Sequence, residues 1–279
     1  MPITHPSSPY LPHIAAILCL DFDGTLIDEQ VHIHPKDVTI LSDFPDTILP
    51  VITTGRDLHS VKSILQAHGI YQGIPFPLPG VFMNGGVAYR PGEQVCFVQA
   101  FPAESHAALV DLAQAFPNTA FTFFGVDSVH LVNPSSFARN LMKAHHLDAQ
   151  ETRPTDLSGE IIKVMVLEPE RSPMRMVKRY AQSLPATTAT SLPYAFEINP
   201  PGITKAATLT RLLETLHLNG RPVFAVGDAE NDLPLFQLAR TSFAPTTAHP
   251  KALESANYLV KRNQDGLIRP ILEHIASHL

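Results

Sequence analysis

The chain has 279 residues, 44% hydrophobic and 16% charged, with 20 Lys and Arg against 26 Asp and Glu for a formal net charge of −6. Its 26 Pro and 14 Gly stay well below the roughly 25–30% of low-complexity chains, which excludes a collagen-like or disordered polymer, and no basic run offers a nucleic-acid footprint. Two cysteines, Cys19 and Cys96, cannot make a disulfide framework, and no apolar stretch approaches the roughly 18–20 residues of a membrane helix, so the expectation is a cytoplasmic chain of two domains or one large one.

Residues 15–20 form a continuous apolar run, as a strand covered on both faces should. The run lies near the N-terminus, like a signal-peptide core, but no basic segment precedes it and acidic residues follow it, so it reads as a buried strand. A helix is expected over 35–44, with Pro at its first turn, then a strand over 47–53. Leu58, Val61, Ile64 and Leu65 are spaced for a helix over 57–68, with Gly69 just past its end. A strand over 81–83 completes a βαβαβ rhythm that argues for a parallel sheet. Strands 87–89 and 95–99 flank the turn residues Pro91-Gly92.

From about residue 101 the texture changes. A helix over 104–116, strands over 120–124 and 128–132, a helix over 136–146, a strand over 161–167, a helix over 173–182 and strands over 188–191 and 194–198 suggest an inserted α+β block with its own sheet. The βα rhythm then resumes with a helix over 205–217, a strand over 223–226, a helix over 233–239, a short strand over 242–244 and a closing helix over 267–278. The expected division is a doubly wound, Rossmann-like parallel core from residues 1–100 and 195–279, with the insert over 101–194.

Ligands of open α/β sheets bind beyond the carboxyl ends of the strands. After the first run come Asp21, Phe22, Asp23, Gly24 and Thr25. After the second comes Thr54-Gly55-Arg56, and after the third Asn84-Gly85-Gly86. After 223–226 comes Gly227-Asp228-Ala229-Glu230-Asn231-Asp232. Asp21 and Asp228, at the tips of two strands, stay ionised at close range only with a cation between them, and an all-oxygen set suits Mg²⁺. Asp21 and Asp23 can approach one substrate from two sides, one as nucleophile and the other as acid/base. Taken singly, the pieces have plainer roles: a turn or helix cap for Asp21 and Asp23, a strand exit for Thr54, caps for Asp228 and Asn231, a solvated charge for Lys205. His32 and His34 read as a polar loop before Pro35 and not as a zinc pair.

The conjunction and its order change the balance. Asp21-Phe22-Asp23-Gly24-Thr25-Leu26 resembles the DxDGTL signature of the haloacid dehalogenase (HAD) superfamily. Thr54, Lys205 and the Gly227–Asp232 stretch resemble its other three motifs, in order. The roughly hundred residues between Asn84 and Lys205 resemble the insert of the Cof-like group with a C2-type cap, which includes sugar phosphatases and is related to mannosyl-3-phosphoglycerate phosphatases. Ala206, where that group usually has Gly, and 244–248, which lacks the usual Asn, depart from the pattern.

The resemblance implies a Mg²⁺-dependent phosphomonoester hydrolase working through an aspartyl-phosphate on a small phosphorylated metabolite, with a sugar phosphate as the expected class. Asp21, Asp23, Thr54 and Lys205 would be catalytic. Asp21, Asp23, Asp228, Asn231 and Asp232 would hold Mg²⁺. Phe22, Gly24, Thr25, Gly55, Arg56 and Asn84 would contact substrate. An acidic Asp23 fits phosphatases and phosphomutases, whereas a transport ATPase would carry a non-acidic residue there. A phosphohexomutase of the same architecture and a non-catalytic phosphate-ligand protein are the alternatives. Neither nucleic acid nor membrane is expected as a partner, and a monomer or homodimer is. In the insert, Phe123, Phe124, Asp127, His130 and Arg139 are candidates for recognising substrate.

Overall fold

A computed structural model of the chain describes residues 13–145, 147–192 and 194–279, the side chains of 190–192 excepted. The order begins β1 (Ala16–Leu20), α1 (Pro35–Ser42), β2 (Ile48–Thr53), α2 (Leu58–Ala67), β3 (Gly80–Phe82), a 3-10 turn over Met83–Gly85, β4 (Val87–Arg90) and β5 (Gln94–Val98). It continues α3 (Ala103–Ala115), β6 (Ala120–Phe124), β7 (Val129–Val132), α4 (Ser136–Ala144), β8 (Gln150–Glu151), β9 (Lys163–Leu167), α5 (Arg171–Ala181), β10 (Thr187–Leu192) and β11 (Ala195–Asn199). It closes with α6 (Lys205–Thr215), β12 (Val223–Val226), a 3-10 turn over Glu230–Asp232, α7 (Leu233–Leu238), β13 (Thr241–Pro245), α8 (Pro250–Ser255), β14 (Tyr258–Val260) and α9 (Ile268–Ala276).

The chain divides into two compact units. The first takes residues up to Gly55, Ile64–Phe97 and Thr204–Leu279. Its eight strands run β14-β13-β12-β1-β2-β3-β4-β5, parallel from β14 to β3, with β4 antiparallel to β3. The chain builds outward from β1 on one side and returns to β12 on the other, which places the topological switch point between β1 and β12. Every residue of β1 is fully buried, the reason its sequence is a continuous apolar run. Ile17, Cys19, Val51, Val81 and Ala225 pack with Leu209, Leu212 and Leu235 of α6 and α7. Burial raises the Cys19 thiol far above its ordinary range, so it serves as a small apolar side chain.

The second unit takes Arg56–Ser63 and Val98–Ile203. Its sheet runs β10-β11-β9-β6-β7-β8. One face packs Phe121, Phe123, Val164, Val166, Phe196 and Ile198 with residues of α3 and α5. On the other, Ala120, Leu131, Leu167 and Ala195 pack with Ala138 and Met142 of α4. Strand β11 pairs with β9 and β10, so it lies in this second sheet and not with the flanking segments among which residues 195–199 were expected.

Most expected elements occur within two or three residues of their predicted ends. The helix expected over 35–44 stops at Ser42, because Asp43 turns out of helical backbone at φ −141° and ψ 68°. The strand expected over 81–83 stops at Phe82, because Met83 and Asn84 adopt left-handed φ of 51° and 57°. The helix expected over 136–146 ends at Ala144, and His146 lies outside the described residues. Strands β8 and β14 and helix α8 were not anticipated; each is two to six residues long, too short to show a period. His34, half of the histidine pair, caps α1 by accepting from the Lys36 N–H. Among the described residues no helix is long and apolar enough to cross a membrane.

Candidate active site

The switch point gathers the acids. Asp21 leaves β1 with its N–H still donating to the carbonyl of Val226 at 3.0 Å, which holds the ends of β1 and β12 side by side. Lys205 opens α6, where Thr204 caps the helix by accepting from the Ala207 N–H at 3.1 Å. The Lys205 Nζ donates to Asp21 Oδ1 at 2.6 Å and to Asp232 Oδ1 at 2.7 Å, with no part of its side chain exposed. Asp232 Oδ2 accepts from the backbone N–H groups of Asp228 at 3.0 Å and Ala229 at 3.1 Å. One ligand atom from each of Asp21, Asp228 and Asp232 lies within 4.8 Å of the others.

Three carboxylates and one ammonium leave an excess of buried negative charge. Burial, then the charges of Asp232 and Asp228, hold the Asp21 carboxyl well above its ordinary range, against the pull of Lys205. Burial and Asp232, with a smaller push from Asp23, raise Asp228 to about 7 although Lys205 opposes them. Burial alone would lower the Lys205 ammonium, but Asp21 and Asp232 outweigh it and raise it. Asp21 Oδ2 is buried and has no hydrogen-bond partner. An all-oxygen donor set with surplus negative charge and an unpartnered carboxylate oxygen fits a hard divalent cation such as Mg²⁺.

Glycines make room for this packing. A Cβ on Gly24, whose φ is +73°, would sit 2.1 Å from Asp228 Oδ2. A Cβ on Gly227 would sit 2.3 Å from Asp232 Cγ. Gly85 at φ +107° lies against the Thr204 carbonyl, where a Cβ would come within 2.5 Å, and its own carbonyl accepts from Thr208 Oγ1 at 2.7 Å. These contacts seat the start of α6 on the β3 exit. Thr204, in the Pro201–Lys205 stretch that also resembles the Cof-like pattern, sits just before an apolar periodic run, the signal of a helix cap, whereas nothing in the sequence marks Thr208.

The other expected site residues fall into three groups. Asp23 is exposed and lies outside the acid triad, although its charge reaches Asp228. Thr54 is fully buried at the end of β2, its N–H donating to the Val81 carbonyl at 2.9 Å and its carbonyl accepting from the Asn84 N–H at 3.0 Å. Asn84 Oδ1 accepts from Asn231 Nδ2 at 3.0 Å, so both asparagines join the strand-end cluster, and Asn231 Oδ1 is buried without a partner. Phe22 and Thr25 are fully buried, and Gly55 has its α-carbon beside Asn84. Arg56 instead donates to Ser60 Oγ at 3.0 Å and contacts His145 Nδ1 at 3.1 Å. In the second unit, Phe123 is core, His130 Nδ1 meets Thr152 Oγ1 at 2.9 Å, and Arg139 pairs with Glu151 at 2.6 Å on the surface.

A doubly wound α/β sheet with carboxylates from separate strand ends converging at its switch point places an acid cluster where such sheets bind their ligands. The family model described as haloacid dehalogenase-like hydrolase matches residues 18–271, and the chain belongs to that family. It is 28% identical to an uncharacterized hydrolase of Schizosaccharomyces pombe, over 94% of this chain and 91% of that one. It is 21% identical to the 5-amino-6-(5-phospho-D-ribitylamino)uracil phosphatase YwtE of Bacillus subtilis, over 93% and 98%. Its fold is similar to that of the HAD subclass IIB sugar phosphatase BT4131, at a TM-score of 0.77 and 18% identity, over 94% and 99%.

Proposed function

We propose that this hydrolase is a Mg²⁺-dependent phosphatase acting on a small polyhydroxylated phosphomonoester. The observation that carries the reading is the Lys205 ammonium bonded to both Asp21 and Asp232, beside Asp228. The substrate class is supported by two similar proteins, one named for a ribityl phosphate and one titled a sugar phosphatase. The second unit takes the part of the cap that selects the substrate.

An Asp21 carboxylate oxygen attacks phosphorus in line, and the bond from phosphorus to the ester oxygen breaks. Asp23 gives its proton to that departing oxygen, and the alcohol leaves. Asp23 then takes a proton from water, whose oxygen attacks the phosphorus of the aspartyl-phosphate; inorganic phosphate departs and the Asp21 carboxylate is restored. Thr54 and Lys205 bond the non-bridging oxygens, and Lys205 holds Asp21 in its attacking position. Asp21, Asp228 and Asp232, with Asn231 and the Asp23 carbonyl, would hold Mg²⁺. When bound, the ion neutralises the charge that builds between nucleophile and phosphoryl group.

The test is hydrolysis of p-nitrophenyl phosphate by the purified full chain. Expected are Mg²⁺-dependent turnover, loss on chelation, and loss in Asp21→Asn. Turnover that persists in Asp21→Asn, or that ignores chelation, would overturn the reading.

A further inference from the structure

We infer that Arg262 is a positioning residue for the turn that carries Asp23, acting through the backbone carbonyl of Thr25. The inference rests on the proposed role of Asp23 as acid and base of the reaction. The chain leaves β1 in a tight turn, closed where the Ile27 N–H donates to the Phe22 carbonyl at 2.9 Å. Asp23 and Ile27 also form an isolated β-bridge. From 237 residues away, Arg262 Nη2 donates to the Thr25 carbonyl, inside that turn. Thr25 is fully buried and its Oγ1 has no hydrogen-bond partner, so its hydroxyl does not hold the turn.

Arg262 is anchored on both sides. Before it, the Val260 carbonyl accepts from the Thr246 N–H at 3.1 Å, which ties the exit of β14 to that of β13. After it, the Gly266 N–H donates to the Asn263 carbonyl at 3.1 Å and the Asp265 N–H to Asn263 Oδ1 at 2.7 Å, closing a second turn. The side chain is half-buried. Any donor would satisfy the buried Thr25 carbonyl. A guanidinium stays charged, makes a stronger bond than a neutral donor and is planar, so it also fixes the direction in which that carbonyl points.

The consequence falls on Asp23. Two residues before it, the Asp21 N–H is held by the Val226 carbonyl at 3.0 Å; two residues after it, the Thr25 carbonyl is held by Arg262. Between them Gly24 takes its left-handed φ of +73° against Asp228. Asp23 itself is exposed, so packing fixes its carboxyl less than the backbone beneath it does. Releasing the Thr25 carbonyl frees that backbone on one side. A displacement of about 1 Å at a reacting group can cost about 100-fold in rate.

The test separates placing the acid from merely holding the fold. p-Nitrophenolate leaves readily without a proton, whereas phenolate and p-methoxyphenolate depend on one. The fall of kcat/KM from p-nitrophenyl to phenyl to p-methoxyphenyl phosphate, measured on the full chain, therefore reads how well the acid is placed. Asp23→Asn sets the steepness of an enzyme without it. Arg262→Met should steepen the wild-type dependence toward that limit, losing about tenfold more on p-methoxyphenyl phosphate than on p-nitrophenyl phosphate. Where Arg262→Met does not fold by circular dichroism, Arg262→Gln, too short to reach Thr25, takes its place with the same expectation. If wild type hydrolyses the series and the Arg262 variant keeps the wild-type steepness, whether every ester slows alike or none slows, this inference is overturned and the hydrolase reading stands. If wild type hydrolyses none of the esters, the hydrolase reading fails and takes this inference with it.

Discussion

Lys205 and Asp21 stand 184 residues apart in the chain and 2.6 Å apart in the fold, with both side chains buried. The same ammonium reaches Asp232 at 2.7 Å, so one cation bonds acids that follow two different strands. Removing it as Lys205→Met leaves two buried carboxylates without their cation, a change that costs about 3–5 kcal/mol when one partner of a buried pair is lost. Urea denaturation should show a loss of that size, with hydrolysis of p-nitrophenyl phosphate abolished. A variant as stable and active as wild type would show that the pair neither holds the fold nor orients Asp21.

The raised Asp228 and Asp21 carboxyls set a pH dependence whose sign can be worked out. At pH well below 3.8 both are protonated in folded and unfolded chains alike. As pH climbs to about 7, the unfolded chain releases protons that folded Asp228 still holds, so the folded state binds more protons and the metal-free protein loses stability as pH rises. A divalent cation competes with those protons, so Mg²⁺ binding should tighten as pH passes through about 7 and release protons. Calorimetry in two buffers of different ionisation enthalpy reads the proton release directly. Mg²⁺ affinity that is flat from acid to neutral pH would remove these carboxyls from the metal set.

Gly24 is the residue on which Asp228 leans. Alanine there would adopt a φ of +73° and bring its Cβ within 2.1 Å of Asp228 Oδ2. The left-handed backbone alone costs about 1–3 kcal/mol, and the overlap has to be relieved by moving Asp228. Gly24→Ala should therefore weaken Mg²⁺ binding, measured by calorimetry, by more than its loss of thermal stability explains. Unchanged affinity would mean that Asp228 tolerates displacement.

The core was legible because β1, β2 and β12 are buried on both faces, and continuous apolar runs that end in Asp, Thr or Gly-Asp mark both the strand and its functional tip. What escaped the sequence was set by tertiary partners. Arg56 looks available to substrate in the sequence, yet His145, 89 residues on, takes its guanidinium. Arg139 looks like a recognition residue, yet Glu151, 12 residues on, pairs with it.

Asp37 is buried yet takes no part in the strand-end cluster. Its two carboxylate oxygens accept from the N–H groups of Leu267 at 3.0 and 2.9 Å and of Ile268 at 2.9 Å, which caps the start of α9 from α1. Gly266 leaves it room, since a Cβ there would lie 2.3 Å from Asp37 Oδ1. Asp37→Ala strips the cap and leaves buried donors unmade, a loss of about 2–3 kcal/mol. Thermal unfolding should show the drop while turnover at low temperature stays near wild type. Retained stability would mean that water replaces the carboxylate.

Asn84 joins the β3 exit to the β12 exit. Its carbonyl oxygen accepts from Asn231 Nδ2 at 3.0 Å, which fixes the Asn231 amide so that Oδ1, buried and unpartnered, is the acceptor it presents. The left-handed φ of 57° at Asn84 and the bond from its N–H to the Thr54 carbonyl at 3.0 Å hold the acceptor side of this arrangement rigid. Asn84→Ala frees the Asn231 amide to rotate. Loss of a group that orients a metal ligand typically costs about 10–100-fold in metal affinity or activity. Asn84→Asp keeps an acceptor oxygen for Asn231 Nδ2 and should retain more of both than the alanine variant does. Mg²⁺ titrations of the two variants, read by calorimetry beside their kcat and KM, check the order; an alanine variant that binds Mg²⁺ like wild type would show that Asn84 does not position Asn231.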